Sequence, residues 1–269
     1  MKIRVLDTNC LQSNDLRAYL AHRKDNVVAI ADYCAVEIYK DADLLKLKKR
    51  MSVLSEYPEQ VIILKSNFHA CAQSGRLSGL RRRLIDQHQT ENFPNFLKGI
   101  DQALRGDAHK QRSFQSHVNA AQEQMNRMLI SAEDSLAAVK MFYQGFTPSQ
   151  LAEIRAQQEM SVSLSKKVVS DILFVSNAFF SRRSDVRRPS SQELPYTYLF
   201  RVAMAMYFYT MDRARNGISP SLSRESVRND MVDVYLVAYA SLFDGMISSD
   251  KRPIRVYAQI KEALSAFLG

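Results

Sequence analysis

The sequence predicts an α/β fold in which helices flank a parallel sheet and a large all-α insertion interrupts it. Three observations lead there. Near both ends of the chain, short β-branched runs alternate with helix-periodic segments. A long middle stretch keeps its apolar residues at helical spacing and nearly lacks such runs. Eight glycines and seven prolines in 269 residues leave few of the tight turns that a β-sandwich or barrel requires.

Residues 3–6 read as a short buried strand, closed by the polar triplet Asp7, Thr8 and Asn9. Asn14 is expected to cap a helix whose Leu16, Tyr19 and Leu20 repeat at i, i+3, i+4. Residues 27–31 give a second strand, followed by a helix with Tyr33, Val36, Ile38 and Tyr39 that carries Glu37. A third strand is expected at 61–64, after Pro58. From Phe68 to Ile218 helices prevail. One begins near Asn95 and closes at Gly106, and another passes through Met125, Met128, Leu129, Leu136 and Val139 to stop at Gly145. Thr147, Pro148, Ser149 and Gln150 form a helix start, with a capping Thr, Pro in the first turn and Gln three residues after the cap. Residues 182–191 read as an exposed loop between helices. The greasiest stretch, 196–211, is too short to span a bilayer and contains Arg201, so it is expected as a buried helix. A helix at 226–242, a short strand at 245–249 and a last helix at 253–268 restore the α/β pattern, with no convincing strand after them. Segments 1–66 and 223–269 are thus expected to build one domain around one sheet, with 67–222 inserted.

Hydrophobic residues at 46% and charged residues at 24% are ordinary globular usage, which excludes a disordered chain. Cys10, Cys34 and Cys71 form neither a CxxC pair nor an even framework, which disfavours a disulfide scaffold or a zinc site and points to a reducing cytoplasm. The first residues reach an acid at Asp7 without a long apolar run, so no secretion signal and no membrane partner are expected. The formal charge is +9, from 37 Lys and Arg against 28 Asp and Glu. Its distribution is uneven. Between positions 226 and 250 the acids Asp230, Asp233, Asp244 and Asp250 face only Arg228, whereas 166–215 holds nine Lys and Arg against four acids. A basic protein with one acidic pocket suits a nucleic-acid partner, and Arg182, Arg183, Arg187 and Arg188 are the expected backbone contacts.

Asp7 follows the first strand and Asp250 follows the last, and in open parallel sheets ligands bind beyond the carboxyl ends of the strands. Asp230 and Asp233, three apart, share one broad helix face, and Glu37 sits near the same edge. Taken singly, each has an ordinary reading as a turn residue, a helix-dipole partner or a solvated charge. Together they repel one another unless a cation joins them, and an all-oxygen set suits Mg²⁺ or Mn²⁺ better than zinc. His69, His88, His109 and His117 show no metal-binding spacing.

Val5-Leu6-Asp7-Thr8-Asn9, Glu37 on the next helix, Asn229-Asp230-Met231-Val232-Asp233, and Asp244-Gly245-Met246-Ile247-Ser248-Ser249-Asp250-Lys251 occur in an order that resembles the PIN-like nucleases. The resemblance covers 1–66 and 223–269 and implies a PIN-like three-layer fold. It further implies that Asp7, Glu37, Asp230 and Asp250 bind Mg²⁺ or Mn²⁺, with Asp233 as a second acid on its helix and Asn9 and Ser248 orienting the others. The implied chemistry is metal-activated hydrolysis of a phosphodiester, usually in RNA. Two alternatives stay open: a DNA-directed defence nuclease, and a catalytically silent nucleic-acid-binding or assembly module. Under any of these readings the helical segment offers a surface for a second copy or a protein partner. Phosphatase chemistry of the haloacid dehalogenase type is set aside, because Asn9 stands where it needs a second Asp.

Overall fold

The computed structural model describes residues 1–156, 160–217 and 223–268. Ile218, the expected boundary at 222/223, Gly269 and the side chain of Leu136 therefore lie outside the described set.

The chain runs β1 (Lys2–Leu6), α1 (Asn14–His22), β2 (Asn26–Ile30), α2 (Asp32–Tyr39), α3 (Leu44–Arg50), α4 (Ser52–Glu56) and β3 (Val61–Ile63). There follow α5 (Asn67–Cys71), α6 (Leu80–Leu84), α7 (Gln87–Leu104), α8 (Ala108–Gln144), α9 (Pro148–Ala156) and α10 (Val162–Ser181). It closes with α11 (Tyr198–Arg215), α12 (Arg224–Ala240), β4 (Met246–Ile247) and α13 (Lys251–Leu268). The four strands form one parallel sheet in the order β3-β2-β1-β4. Both ends of the chain thus meet in one sheet, as the sequence predicts. Ile3 pairs with Val27, Val28 with Val61, and Val5 with Met246. Helices cover the sheet, and accordingly every residue of β2 is buried.

β4 pairs only with Val5 and Leu6, the last two residues of β1. Asp244 N–H donates to the Ile3 carbonyl (2.9 Å), and the Asp244 carboxylate in turn accepts from Ile3 N–H (2.8 Å). Arg81 holds that carboxylate through two nitrogens at 2.8 and 3.0 Å. Gly245 then turns the chain at φ 129°, a conformation that suits glycine. Asp7 N–H donates to the Ile247 carbonyl (2.9 Å), which brings the carboxyl ends of β1 and β4 side by side.

The stretch expected at 196–211 is the buried helix α11, with nearly every side chain enclosed. It packs against α10, α12 and α13, and α12 lies against β1. One continuous hydrophobic cluster joins the sheet residues Ile3, Val5 and Val28 to Phe146, Ile172, Phe200 and Tyr207 of the helical segment.

Two helix starts differ from expectation. Ser13, not Asn14, caps α1, its Oγ accepting from Leu16 N–H at 3.1 Å, and Asn14 is the first helical residue. α7 begins at Gln87 and not near Asn95: Asp86 accepts from Gln89 N–H (3.0 Å), and the helix continues through Pro94. Pro94 removes one N–H, but the burial of Phe93, Ile100 and Ala103 on either side outweighs that loss. The start at Thr147 forms as expected, with Thr147 N–H donating to Gln150 Oε1 (3.0 Å) and Gln150 N–H donating to Thr147 Oγ1 (3.2 Å). Thr147→Ala removes half of this box and is expected to lower the unfolding free energy by about 1 kcal/mol, measured by urea denaturation.

Candidate active site

A cavity of about 490 Å³ opens beyond the carboxyl ends of β1, β2 and β4. Asp7, Glu37, Asp233 and Asp250 line it together, each from a different part of the chain.

Local hydrogen bonds set these acids in place. Asp7 lies at the end of β1, where one carboxylate oxygen accepts from Ser248 Oγ (2.6 Å) and the other from Asn9 N–H (3.4 Å). Ser248 Oγ also accepts from Asp250 N–H (3.1 Å), and Asn9 Oδ1 accepts from Ser249 N–H (3.3 Å). The turns after β1 and β4 are therefore laced to each other through Asn9 and Ser248. Thr8 Oγ1 donates to Glu37, tying α2 to the same turn. Asp250 both caps α13, accepting from Arg252 N–H at 2.9 Å, and forms part of the cavity wall.

Burial dominates the electrostatics of Asp7 and Asp233, and the charges of neighbouring acids add to it. Burial, then the charges of Asp7, Asp230 and Asp250, push the Asp233 carboxyl up to about 8, opposed by the Tyr209 hydroxyl. Burial also raises Asp7, with Glu37 and Asp250 adding to the rise and the Ser248 and Asn9 hydrogen bonds opposing it.

Asp230 has a different place. It does not line this cavity; its carboxylate takes Arg213 at 2.5 Å and Arg252 at 2.6 Å. Arg252 also reaches Asp212 (3.0 Å), a carboxylate only 3% exposed that Arg255 contacts at 2.6 Å. Asp212 and Asp230 thus knit α11, α12 and α13 together behind the acid set.

None of the four arginines expected to bind the nucleic-acid backbone lines the cavity. Arg183 bonds Asp185 at 2.7 Å and lies over the Phe68 ring, and Arg187 pairs with Glu193 at 3.2 Å. Arg182 and Arg188 are exposed. The cations that do line it are Lys40, Arg50 and Arg228. Arg50 is already engaged by Asp41 and by the carbonyls of Glu37 and Ile38.

Sequence reasoning missed Thr8 and the wall supplied by Tyr33, Met125, Met128 and Arg228. Thr8 was legible in principle, standing between two polar residues of one turn. The methionines were not, because their i, i+3 spacing is equally that of a core.

The oxygen donors on this cavity belong to four carboxylates, two amides and two hydroxyls, which fits a hard divalent cation. Among the described residues, no three Asp, Glu, His or Cys side chains are already gathered to hold one. Also among them, no helix is long and apolar enough to cross a membrane. No family model matches the chain, and no curated protein or solved structure matches it.

Proposed function

We propose that this chain is a metal-dependent endonuclease with a PIN-like nuclease domain, hydrolysing phosphodiester bonds in nucleic acid, RNA in preference to DNA. The observation that carries the proposal is the shared cavity. Asp7, Glu37, Asp233 and Asp250 line one cavity at the carboxyl edge of a parallel sheet, where ligands of such sheets bind, and burial together with neighbouring acids raises Asp7 and Asp233 there. These four residues would hold Mg²⁺ or Mn²⁺, with Asn9 and Ser248 fixing the orientation of Asp7 and Asp250. When bound, such an ion lowers the pKa of water and offsets charge on the phosphate under attack. The protein's own part is to keep the carboxylates together against their repulsion and to admit a phosphate between them and Lys40 and Arg228. The net charge of +9 favours the approach of a polyanion.

The test is digestion of single- and double-stranded RNA and DNA with Mn²⁺, against the chelated protein and Asp7→Asn/Asp250→Asn. RNA cleavage that disappears with EDTA and in the double variant is the expected result; equal cleavage by both proteins sinks the reading. A second reading, a catalytically silent binding module, draws on the absence of a ready three-acid group among the described residues. Calorimetry separates the two: Mn²⁺ binding that Asp250→Asn weakens supports the enzyme, and no Mn²⁺ binding supports the module.

A further inference from the structure

Part of the cavity lining is apolar and has no use in ion chemistry. Besides the acids, Leu11, Tyr33, Val36, Met125, Met128 and Val232 line the cavity, contributed by the turn after β1 and by α2, α8 and α12. The long helix α8 packs on both α2 and α12, which brings Met125 and Met128 into the cavity lining. The Tyr33 ring is held flat against Tyr235, with centroids 4.9 Å apart and planes 8° from parallel. A rigid aromatic ring beside two adaptable thioethers suits a flat, polarisable ligand. A volume of about 490 Å³ falls within the range of roughly 300–1,000 Å³ for small-ligand pockets, so the space suits one or two nucleotides.

We infer that this apolar part of the lining is a nucleobase subsite. A base of a single strand, lifted out of its stack, lies against Tyr33, Met125 and Met128 while its own phosphate faces the acids. The inference rests on the nuclease reading and narrows it. A paired base has its faces covered by neighbours and cannot enter, so α8 makes the site selective for unpaired strands. Lys40 and Arg228 lie on the same cavity and offset the phosphate charge that the carboxylates repel.

Fluorescence anisotropy in EDTA tests this without any cleavage. The probes are a labelled single-stranded hexanucleotide, the same hexamer with abasic sugars, its duplex, and a nucleoside monophosphate as competitor. Wild-type protein is expected to bind the hexamer about tenfold more tightly than the abasic strand, equivalent to about 1.4 kcal/mol, and the monophosphate should compete only weakly. Met125→Ala and Val36→Ala should each reduce that ratio, with melting temperatures confirming that the variants fold. Equal binding of hexamer and abasic strand by the wild type overturns the subsite, as does duplex binding as tight as single-strand binding. If Mn²⁺-dependent RNA cleavage persists in that case, only the subsite fails. If neither strand binds and RNA is not cut, the nuclease reading fails with it.

Discussion

Asp233→Asn is expected to lower Mn²⁺-dependent cleavage by more than about 100-fold while making the metal-free protein more stable at pH 8. The two effects share one cause. Loss of a residue that only supports a metal ligand typically costs 10–100-fold in affinity or activity, and loss of a carboxylate on the ion should cost more. The same carboxylate is a burden when no ion is present. Its pKa is pushed up to about 8 by burial and by Asp7, Asp230 and Asp250, against an ordinary value near 4 in the unfolded chain. The folded protein therefore holds a proton that the unfolded chain gives up between those values. The stability tied to this group is fully present below about pH 4 and is lost as pH rises toward 8. Asn does not titrate, so the variant's melting temperature should be flatter across that window and higher at its upper end. Mn²⁺ should raise the wild-type melting temperature more at pH 8 than at pH 5, and should do little for the variant. Cleavage by Asp233→Asn at the wild-type rate would remove this residue from the proposed machinery.

The sheet was legible because its signals are local. Residues 27–31 are apolar without interruption and three of them are β-branched, as suits a strand covered on both faces, and the polar triplet at 7–9 marks where β1 ends. The meeting of β1 and β4 was also foreseeable, since neither α/β segment has enough strands to bury itself. What was hidden depends on partners far along the chain. Pro94 looks like a boundary until α7 is seen burying residues on both sides of it. The spacing of Met125 and Met128 gives no hint that α8 closes a cavity rather than a core. Asp230 and Asp233 lie about 60° apart around their helix, too close for periodicity to say which one enters the cavity. Arg213 of α11 and Arg252 of α13 decide it by engaging the first and leaving the second. Arginine residues 17 and 22 positions away settle the role of Asp230, and a short motif carries no trace of them.

Asp230→Asn should therefore behave in the opposite way to Asp233→Asn. Its carboxylate has a side-chain exposure of 16%, and its partners Arg213 and Arg252 stand at 17% and 22%. Removing one member of a largely buried ion pair leaves the other charges enclosed without compensation, at a cost of about 3 kcal/mol. Here the loss would strip Arg213 of its carboxylate partner and leave Arg252, Arg255 and Arg215 sharing Asp212. A fall in urea midpoint of that size is expected, together with Mn²⁺ affinity within about threefold of wild type. Arg213→Gln should be destabilising alone yet cost far less in the Asp230→Asn background, because the charge it removes is by then unpaired. If Asp230→Asn instead abolishes Mn²⁺ binding and leaves the urea midpoint unchanged, Asp230 is a metal ligand and its arginines are displaced when the ion binds. The pair of substitutions, three residues apart on α12, thus separates the face that would do the chemistry from the face that holds α11 and α13 behind it.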